Sequence, residues 1–161
     1  MMNDRFKFRT GFTISFYDIA GNDVERQIIL DSCFSIDNGG EGICVNEKII
    51  QEALDIYVAK DEHKSAWDFI NANYAETDGY YFIDSVDFLD QCTGLKDKNG
   101  KLIYEGDIIL VENNKCSVEW ESENARYNVI GYGEIAYLNY NDIEVVGNIH
   151  ENADLIKVGG K

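Results

Sequence analysis

Proline is absent from this sequence, and cysteine is scarce, with four residues and no Cys-x-x-Cys pair among them. Dispersed cysteines and an N-terminus without an apolar signal segment predict a cytoplasmic protein in which no disulfide forms. No apolar run approaches the roughly 20 residues of a membrane-spanning helix, so we expect no membrane association. A length of 161 residues suffices for one hydrophobic core, or for one domain with an additional lobe.

Basic residues are few, with 14 lysines and arginines against 30 aspartates and glutamates, and the formal net charge is −16. The acids are spread over both halves of the chain and do not form a tail. Because DNA and RNA are polyanions, such a surface repels them, and we expect no direct binding of nucleic acid. Two interpretations of the acidity stay open: a solvated surface that keeps the protein soluble, or an acidic face that imitates nucleic acid.

Groups that commonly carry catalysis or hold metals are also few. The two histidines, His63 and His150, lie in different halves, and neither has the other three or four residues away. The paired acids Glu105 and Asp107 flank Gly106, where an aspartate commonly binds turn amides. The cysteines lie in apolar surroundings that favour a packed thiol over a reactive thiolate: Cys33, Cys44, Cys92 and Cys116. We therefore predict no catalytic residue, no metal site, no cofactor and no enzymatic activity.

Two short motifs imitate ligand-binding loops. The loop at 37–42 is similar to the start of a calcium loop, yet Gly39 replaces a ligand and Lys48 stands where a bidentate glutamate is required. Residues 131–136 satisfy G-x-G-x-x-A, but residues 137–140 are typical of a strand and turn, whereas a dinucleotide-binding fold needs a helix there. We predict a plain turn at the first motif and a glycine-bent β-hairpin at the second.

The N-terminal segment predicts two strands. Five apolar residues between positions 6 and 16 share one parity, which is typical of a strand with one buried face: Phe6, Phe8, Phe12, Ile14 and Phe16. We expect Thr10-Gly11 to bend this strand. Gly21-Asn22-Asp23 supplies a turn, after which the alternation resumes. It resumes at Ile28, Leu30, Phe34 and Ile36. The two strands are expected to pair and to pack on another part of the chain, since a two-stranded ribbon alone is marginal.

Two amphipathic helices are predicted in the middle of the chain. Asn46 is placed to cap a helix that ends near Lys60 and carries apolar residues at three- and four-residue spacing. Ser65 and Asp68 have the spacing of a capping box and predict the start of a second, shorter helix. Since the connection between them is short, we expect an αα-hairpin on one side of a sheet.

Turn signals recur from residue 77 onward, between short strands. Asn99-Gly100, followed by an apolar run, predicts a type I′ hairpin turn, which needs φ > 0 at both residues. Gly106 marks a corner beside Asp107. Further turn residues are Thr77-Asp78-Gly79, Asn124-Ala125, Asn141-Asp142 and Gly147. Five or six short strands separated in this way are typical of a small barrel.

One long motif connects this chain to a known family. The stretch Gln91–Ile109 contains a Thr-Gly pair, the Asn-Gly turn and a Glu-Gly-Asp corner in close succession, and it resembles the YopX family of phage and prophage proteins. Val118-Glu119-Trp120 and the segment 145–152 are similar to the family's next strand and its closing strand. Lys7-Phe8-Arg9 resembles its short N-terminal motif.

The resemblance covers about half of the chain and leaves the helical middle without a counterpart. Cys92 stands where an aromatic residue often precedes the Thr-Gly pair, and Ala153 stands where a proline is common. The resemblance implies a phage or prophage protein located in the bacterial host's cytoplasm. It assigns no catalytic role to any residue.

The sequence as a whole predicts an α+β protein, mainly β, built from short antiparallel strands. We expect an N-terminal β-ribbon and helical lobe over residues 1–79. Residues 80–161 are expected to form a partly open, SH3-like or multisheet β-barrel, and the two regions could make one continuous domain.

We expect the protein to act through contacts with a host or phage protein partner. Candidate contact residues, for which ordinary sheet packing is the alternative, are Tyr127, Tyr132, Tyr137 and Tyr140. The competing hypothesis is an inhibitor that imitates nucleic acid and occupies the basic groove of a nuclease or DNA-binding protein. Its acidic face would include Glu119, Glu121, Glu123 and Glu134. Unpaired strand edges and the absence of proline also predict a homo-oligomer.

Overall fold

Antiparallel strands and two helices make up the protein, including a sheet that curls into a half-barrel, which confirms the predicted α+β, mainly β fold. The computed structural model describes residues 7–33, 35–36, 43–84, 86–139 and 141–156. The calcium-like loop at 37–42, Phe6, Phe34 and Tyr140 therefore lie outside the described residues. The chain folds as two units, Lys7–Leu89 and Asp90–Lys161.

The first unit begins with a long antiparallel hairpin of β1 (Phe8–Tyr17) and β2 (Asp23–Cys33). The predicted alternation is confirmed, because Phe12, Ile14 and Phe16 are buried. Gly11 pairs with Ile29 in an unbroken register, and the register shifts between Phe8 and Thr10. A Cβ on Gly11 would lie 2.3 Å from a carbon of the Phe88 ring. The absence of a side chain at Gly11 therefore allows the Phe88 ring to pack against the backbone of β1.

A second sheet in the same unit has the strand order β3-β4-β6-β5. Its strands are β3 (Ser35–Ile36), β4 (Ile43–Asn46), β5 (Ala75–Thr77) and β6 (Tyr80–Ile83). β5 was not predicted as a strand, and its three residues are exposed. Asp78 and Gly79 connect β5 to β6 with φ values of 52° and 78°, so both central residues have the positive φ of a type I′ turn. β6 pairs with β4 and β5, and the first unit extends to Leu89.

Both predicted helices exist and pack against the first hairpin. α1 (Glu47–Tyr57) begins after Asn46, whose side chain accepts a hydrogen bond from the Lys48 N–H at 3.0 Å, as the capping prediction requires. It ends before Lys60. α2 (His63–Asn73) begins two residues before Ser65, and its N-cap residue Glu62 makes no side-chain cap, so the capping-box prediction is wrong. The apolar stripes join the core of β1 and β2, with Ile50, Leu54 and Ile70 buried.

The second unit contains the rest of the strands. They are β7 (Phe88–Lys96), which begins just before the boundary, β8 (Leu102–Tyr104), β9 (Asp107–Val111), β10 (Asn114–Glu121), β11 (Arg126–Val129), β12 (Gly133–Glu134) and β13 (Glu144–Asn148). Five of them form a sheet of order β12-β11-β10-β9-β13. β11 and β12 form the glycine-bent hairpin predicted over 131–136. A single 3-10 turn, Ile135–Tyr137, follows it. The strand predicted in the segment 137–140 therefore does not form over residues 137–139, which are the described part of that segment.

The hairpin turn between β7 and β8 differs from the type I′ turn predicted at Asn99-Gly100. Gly100 has a φ of +81°, but Asn99 does not have a positive φ. The Gly100 N–H donates to the Asp97 carbonyl at 2.9 Å, which makes a type I turn followed by a left-handed glycine. Two positive φ values do occur at Glu112 and Asn113, which connect β9 to β10 without any glycine. No turn is predicted at these two residues from the sequence.

The Glu-Gly-Asp corner is held by its own side chain and backbone. Asp107 is fully buried, and its Oδ2 accepts a hydrogen bond from the Tyr104 N–H at 2.8 Å. Gly106 has a φ of +74°, and its N–H donates to the Val118 carbonyl. The corner thus fixes the start of β9 against β10, which carries the residues described next.

Candidate functional site

The hairpin of β10 and β11 presents two chemically different faces. Trp120 lies opposite Tyr127, and Glu121 lies opposite Arg126. Successive side chains of a strand point to opposite faces, so the two aromatic residues share a face with Val118 and Val129. The alternate positions carry charged and polar groups. They are Glu119, Glu121, Arg126, Asn128 and, opposite Asn128 on β12, Glu134.

The aromatic face begins in the core and ends in solvent. Val118 and Val129 are buried, whereas Trp120, two residues further along β10, is 42% exposed. The Trp120 and Tyr127 rings meet edge to face, with their centroids 4.9 Å apart. A cavity of about 290 Å³ lies beside them. It is lined by Gln91, Cys92, Thr93 and Leu95 of β7, by Trp120, Ala125, Arg126 and Tyr127, and by Glu134, Ile135 and Ala136. We call this cavity the aromatic cleft.

The charged side chains on the other face of the hairpin share one arginine. Glu121 accepts hydrogen bonds from Arg126 Nε, from Asn124 at 2.9 Å and from Asn128 at 2.7 Å. The bond from Arg126, followed by those from the two amides, lowers the pKa of Glu121 below its ordinary value, and the same bond raises the pKa of Arg126. Glu134 reaches Arg126 Nη1 only at 3.5 Å. Arg126 therefore pairs with both carboxylates, and its contact with Glu121 is the closer one.

The four candidate tyrosines have different environments. Tyr127 lines the cleft. The Tyr132 hydroxyl accepts a hydrogen bond from Asn114 at 2.8 Å and donates to the Val111 carbonyl at 3.3 Å, and its ring packs on the core. Tyr137 is 83% exposed and does not line the cleft. Tyr140 lies outside the described residues. Trp120 was not among the candidates, although its position opposite an aromatic residue on a short strand is a usable signal.

Three of the four candidate acids lie on one face. Glu119, Glu121 and Glu134 share the charged face of the hairpin, while Glu123 is exposed in the turn between β10 and β11. Arg126 lies among them. The face is therefore acidic on balance, but its central position is occupied by a cation.

A histidine and a carboxylate meet at the exit turn after β13. His150 Nε2 lies 3.0 and 3.2 Å from the two carboxylate oxygens of Asp90, and both side chains are largely buried. Burial, and then the charges of Asp90 and Glu119, raise the pKa of nearby Glu105. The His150 backbone N–H donates to Asn148 Oδ1, and this bond holds the turn. Within the described ranges, no three His, Cys, Asp or Glu side chains are grouped to hold a metal ion.

Glycine and cysteine have structural roles near these groups. A Cβ on Gly147 would lie 2.5 Å from Asn152 Oδ1, so the exit turn can close only over a residue without a side chain. Burial raises the pKa of the Cys116 thiol, which keeps it protonated and unreactive. Cys92 is buried in the wall of the cleft.

Comparisons with known proteins place the chain in a family. No helix in the described part of the chain is long and apolar enough to cross a membrane. Comparison with curated proteins finds no relative that matches. The family model described as "YopX protein" matches residues 44–157, so the match includes both helices, for which the sequence motifs offered no counterpart, and excludes Lys7-Phe8-Arg9. Because the match covers more than half of the sequence, and because it contains the Gln91–Ile109 motif, the chain belongs to the YopX family.

Proposed function

We propose that this protein is a non-enzymatic accessory protein of a phage or prophage, located in the cytoplasm of the bacterial host. It acts by binding another protein, of host or phage origin, and the aromatic cleft is the contact site. The observation that carries the proposal is the exposure of Trp120 at the edge of a cavity, on a face whose preceding residues form the core.

An exposed tryptophan beside a tyrosine is suited to this role. Both side chains are large and rigid, so they supply contact area at a small cost in conformational entropy, and they are enriched among the residues that dominate interface energetics. The strand register fixes Trp120 against Tyr127 in the free protein. A partner that covers the cleft would gain the burial of the indole without having to order it.

In a second candidate function, the protein binds its partner through the acidic face. The arrangement of Glu119, Glu121 and Glu134 on one face supports an inhibitor that imitates nucleic acid. Such an interface would weaken steeply with salt, because charges exposed to solvent are screened over roughly 10 Å at 0.1 M ionic strength. An aromatic interface would respond weakly to salt.

Capture of host proteins by the immobilised full chain tests both functions. Trp120→Ala should weaken capture of a specific partner by about 30-fold, as truncation of a central interface aromatic does. Trp120→Phe should restore part of the binding. The matched control is Tyr137→Ala, which removes a more exposed aromatic that does not line the cleft. Equal melting temperatures for the variants would show that the fold is retained.

The acidic alternative is tested with Glu119→Gln combined with Glu123→Gln, which leaves the Glu121–Arg126 pair intact. If this variant releases the partner while Trp120→Ala keeps it, the acidic face is the contact and the cleft proposal is wrong. Displacement of the partner by duplex DNA would then identify it as a nuclease or DNA-binding protein.

A further inference from the structure

A second cavity, of about 290 Å³, is lined by the two helices of the first unit. α1 contributes Gln51, Leu54 and Asp55 to its wall, and α2 contributes His63 and Trp67. Residues three or four positions apart lie on the same face of a helix, so the spacing within each helix agrees with this arrangement. Leu54 is buried, whereas the Asp55 side chain is 70% exposed. The cavity therefore combines an apolar wall with a carboxylate that solvent can reach.

The hydrogen bond of His63 fixes which of its ring nitrogens carries the proton. Nε2 lies 3.0 Å from the Val58 carbonyl oxygen. A carbonyl oxygen only accepts hydrogen bonds, so Nε2 is the protonated nitrogen. In the uncharged ring, Nδ1 then carries a lone pair, which is the form of imidazole that binds metal ions. A backbone carbonyl bound to the other nitrogen is also a common way in which proteins orient a metal-binding histidine.

The atom that faces this lone pair is a carboxylate oxygen. His63 Nδ1 lies 3.7 Å from Asp55 Oδ1, which is longer than the roughly 2.7–3.2 Å of an N–H···O hydrogen bond. Zinc holds a nitrogen at about 2.0–2.1 Å and a carboxylate oxygen at about 2.0–2.2 Å, and two such bonds at an angle of roughly 110–125° separate their ligand atoms by about 3.4–3.7 Å. The observed separation therefore fits an ion held between the two atoms.

The two ligand types discriminate between possible cations. Imidazole nitrogen suits zinc, copper and nickel, whereas magnesium and calcium prefer sites made of oxygen atoms. Zinc also accepts nitrogen and carboxylate oxygen in one site. The net charge of −16 attracts cations in general, but this attraction does not distinguish one divalent ion from another.

We propose that His63 Nδ1 and the Asp55 carboxylate bind a zinc ion at this cavity, with water in the remaining coordination positions. The sequence alone predicts no metal site, because the two ligands lie on different helices and their spacing matches no metal motif. An ion at this position connects α1 to the start of α2, and it stabilises the folded protein by mass action. The site does not involve the aromatic cleft, so it goes beyond the proposed function and is tested independently of it.

Titration of the untagged full chain with zinc chloride at about pH 7.5 tests the site. Two-dimensional NMR follows the imidazole nitrogens, and isothermal titration calorimetry gives the affinity. The chain has two histidines, so His150 in the Asp90–Lys161 unit is an internal reference for His63. We expect zinc to shift the Nδ1 resonance of His63 and to leave the resonances of His150 unchanged. Magnesium chloride should shift neither.

Substitution of the carboxylate separates a two-ligand site from a single histidine. Asp55→Asn should weaken zinc binding about tenfold or more, because even the loss of a group that only supports a metal ligand costs about 10- to 100-fold. His63→Gln should weaken it at least as much. Asp61→Asn makes the same change of charge at an exposed residue that does not line the cavity, and it should leave the affinity unchanged. The metal-free melting temperature of Asp55→Asn checks that its fold is retained.

Three results would overturn the zinc site. In the first, zinc leaves the His63 resonances unchanged. In the second, Asp55→Asn binds zinc as tightly as the parent, which would reduce the site to one exposed histidine. In the third, magnesium shifts the His63 resonances as much as zinc does, which would reveal only the attraction of an acidic surface for divalent ions.

Discussion

Asp97 is the residue on which the central turn depends. Its side chain is buried, and Oδ1 accepts hydrogen bonds from the Asn99 and Lys101 N–H groups while Oδ2 accepts one from Val145 N–H. Burial acts to raise the pKa of Asp97, but the bonds from Val145, Lys101 and Asn99 outweigh it, and the pKa lies below the ordinary value of 3.8. One carboxylate therefore ties the β7–β8 turn to β13.

The depressed pKa of Asp97 predicts a dependence of stability on acid. Because the folded-state pKa lies below the unfolded-state pKa, the carboxylate contributes its full stabilisation above pH 3.8, and this contribution disappears as the pH falls through the folded-state pKa. Asp97→Asn should lower the melting temperature at pH 7, measured by circular dichroism. It should also make the melting temperature fall less steeply than that of the parent as the pH drops below 4. Asp154→Asn, at an exposed position, is the control and should change neither.

Gly100 isolates the cost of a left-handed backbone. A Cβ at this position would meet nothing within 4 Å, so Gly100→Ala introduces backbone strain at a φ of +81° without a steric clash. We expect a loss of roughly 1–2 kcal/mol in the free energy of unfolding, and a fall in melting temperature of about 2–8 °C. Gly100→Asn should lose less, because asparagine tolerates this conformation. Equal melting temperatures for Gly100→Ala and the parent would contradict the turn geometry.

At the scale of elements, strands and helices follow from periodicity, but turns depend on neighbouring residues. The alternation in β1 and the stripe of α1 predict their buried faces because one face of each meets a core. Asn-Gly normally indicates a type I′ turn, but this does not hold at Asn99. Asp97 occupies the first position of the turn, and its side chain accepts a hydrogen bond from the Asn99 backbone N–H, which stabilises a type I turn. An aspartate followed three residues later by glycine is a signal that the sequence does contain.

The exposure of the aromatic residues in the candidate site could not be predicted from periodicity. Parity puts Trp120 on the face of Val118, and that face is buried at one residue and half open at the next. The cavity beside Trp120 is lined by β7 and by the 3-10 turn, and the position of these elements follows from the tertiary fold, which the parity of β10 does not contain. For the same reason Tyr132, an equally plausible contact residue, packs on the core instead.

The start of α1 allows a direct test of a cap. Asn46 Oδ1 accepts from the Lys48 N–H at 3.0 Å, and its Nδ2 donates to the Gly79 carbonyl at 3.3 Å. Asn46→Ala should lower the free energy of unfolding by about 1 kcal/mol, measured by urea denaturation. Asn46→Asp keeps the acceptor and should recover most of this loss. If Asn46→Asp is no better than alanine, the bond to Gly79 is the important one.

At the scale of the whole molecule, edges and charge act in opposite directions. β2 has 11 residues and stands at the end of its sheet, whereas the terminal strands of the other two sheets, β3, β5, β12 and β13, have two to five. A long edge strand favours pairing with a second copy, and a net charge of −16 opposes it. We predict a homo-oligomer whose formation is favoured by salt, as light scattering coupled to size exclusion at 50 and 300 mM salt would show. A monomer in both conditions at high micromolar concentration would contradict this.

The turn at Asn99-Gly100 also affects how the protein ages. An asparagine followed by glycine loses its side-chain amide when the next backbone nitrogen attacks the side-chain carbonyl to form a cyclic imide. Here the Gly100 nitrogen is engaged, because its N–H donates to the Asp97 carbonyl at 2.9 Å. The folded turn thus protects a chemically fragile dipeptide, and any substitution that loosens the turn should make the stored protein accumulate aspartate and isoaspartate at residue 99.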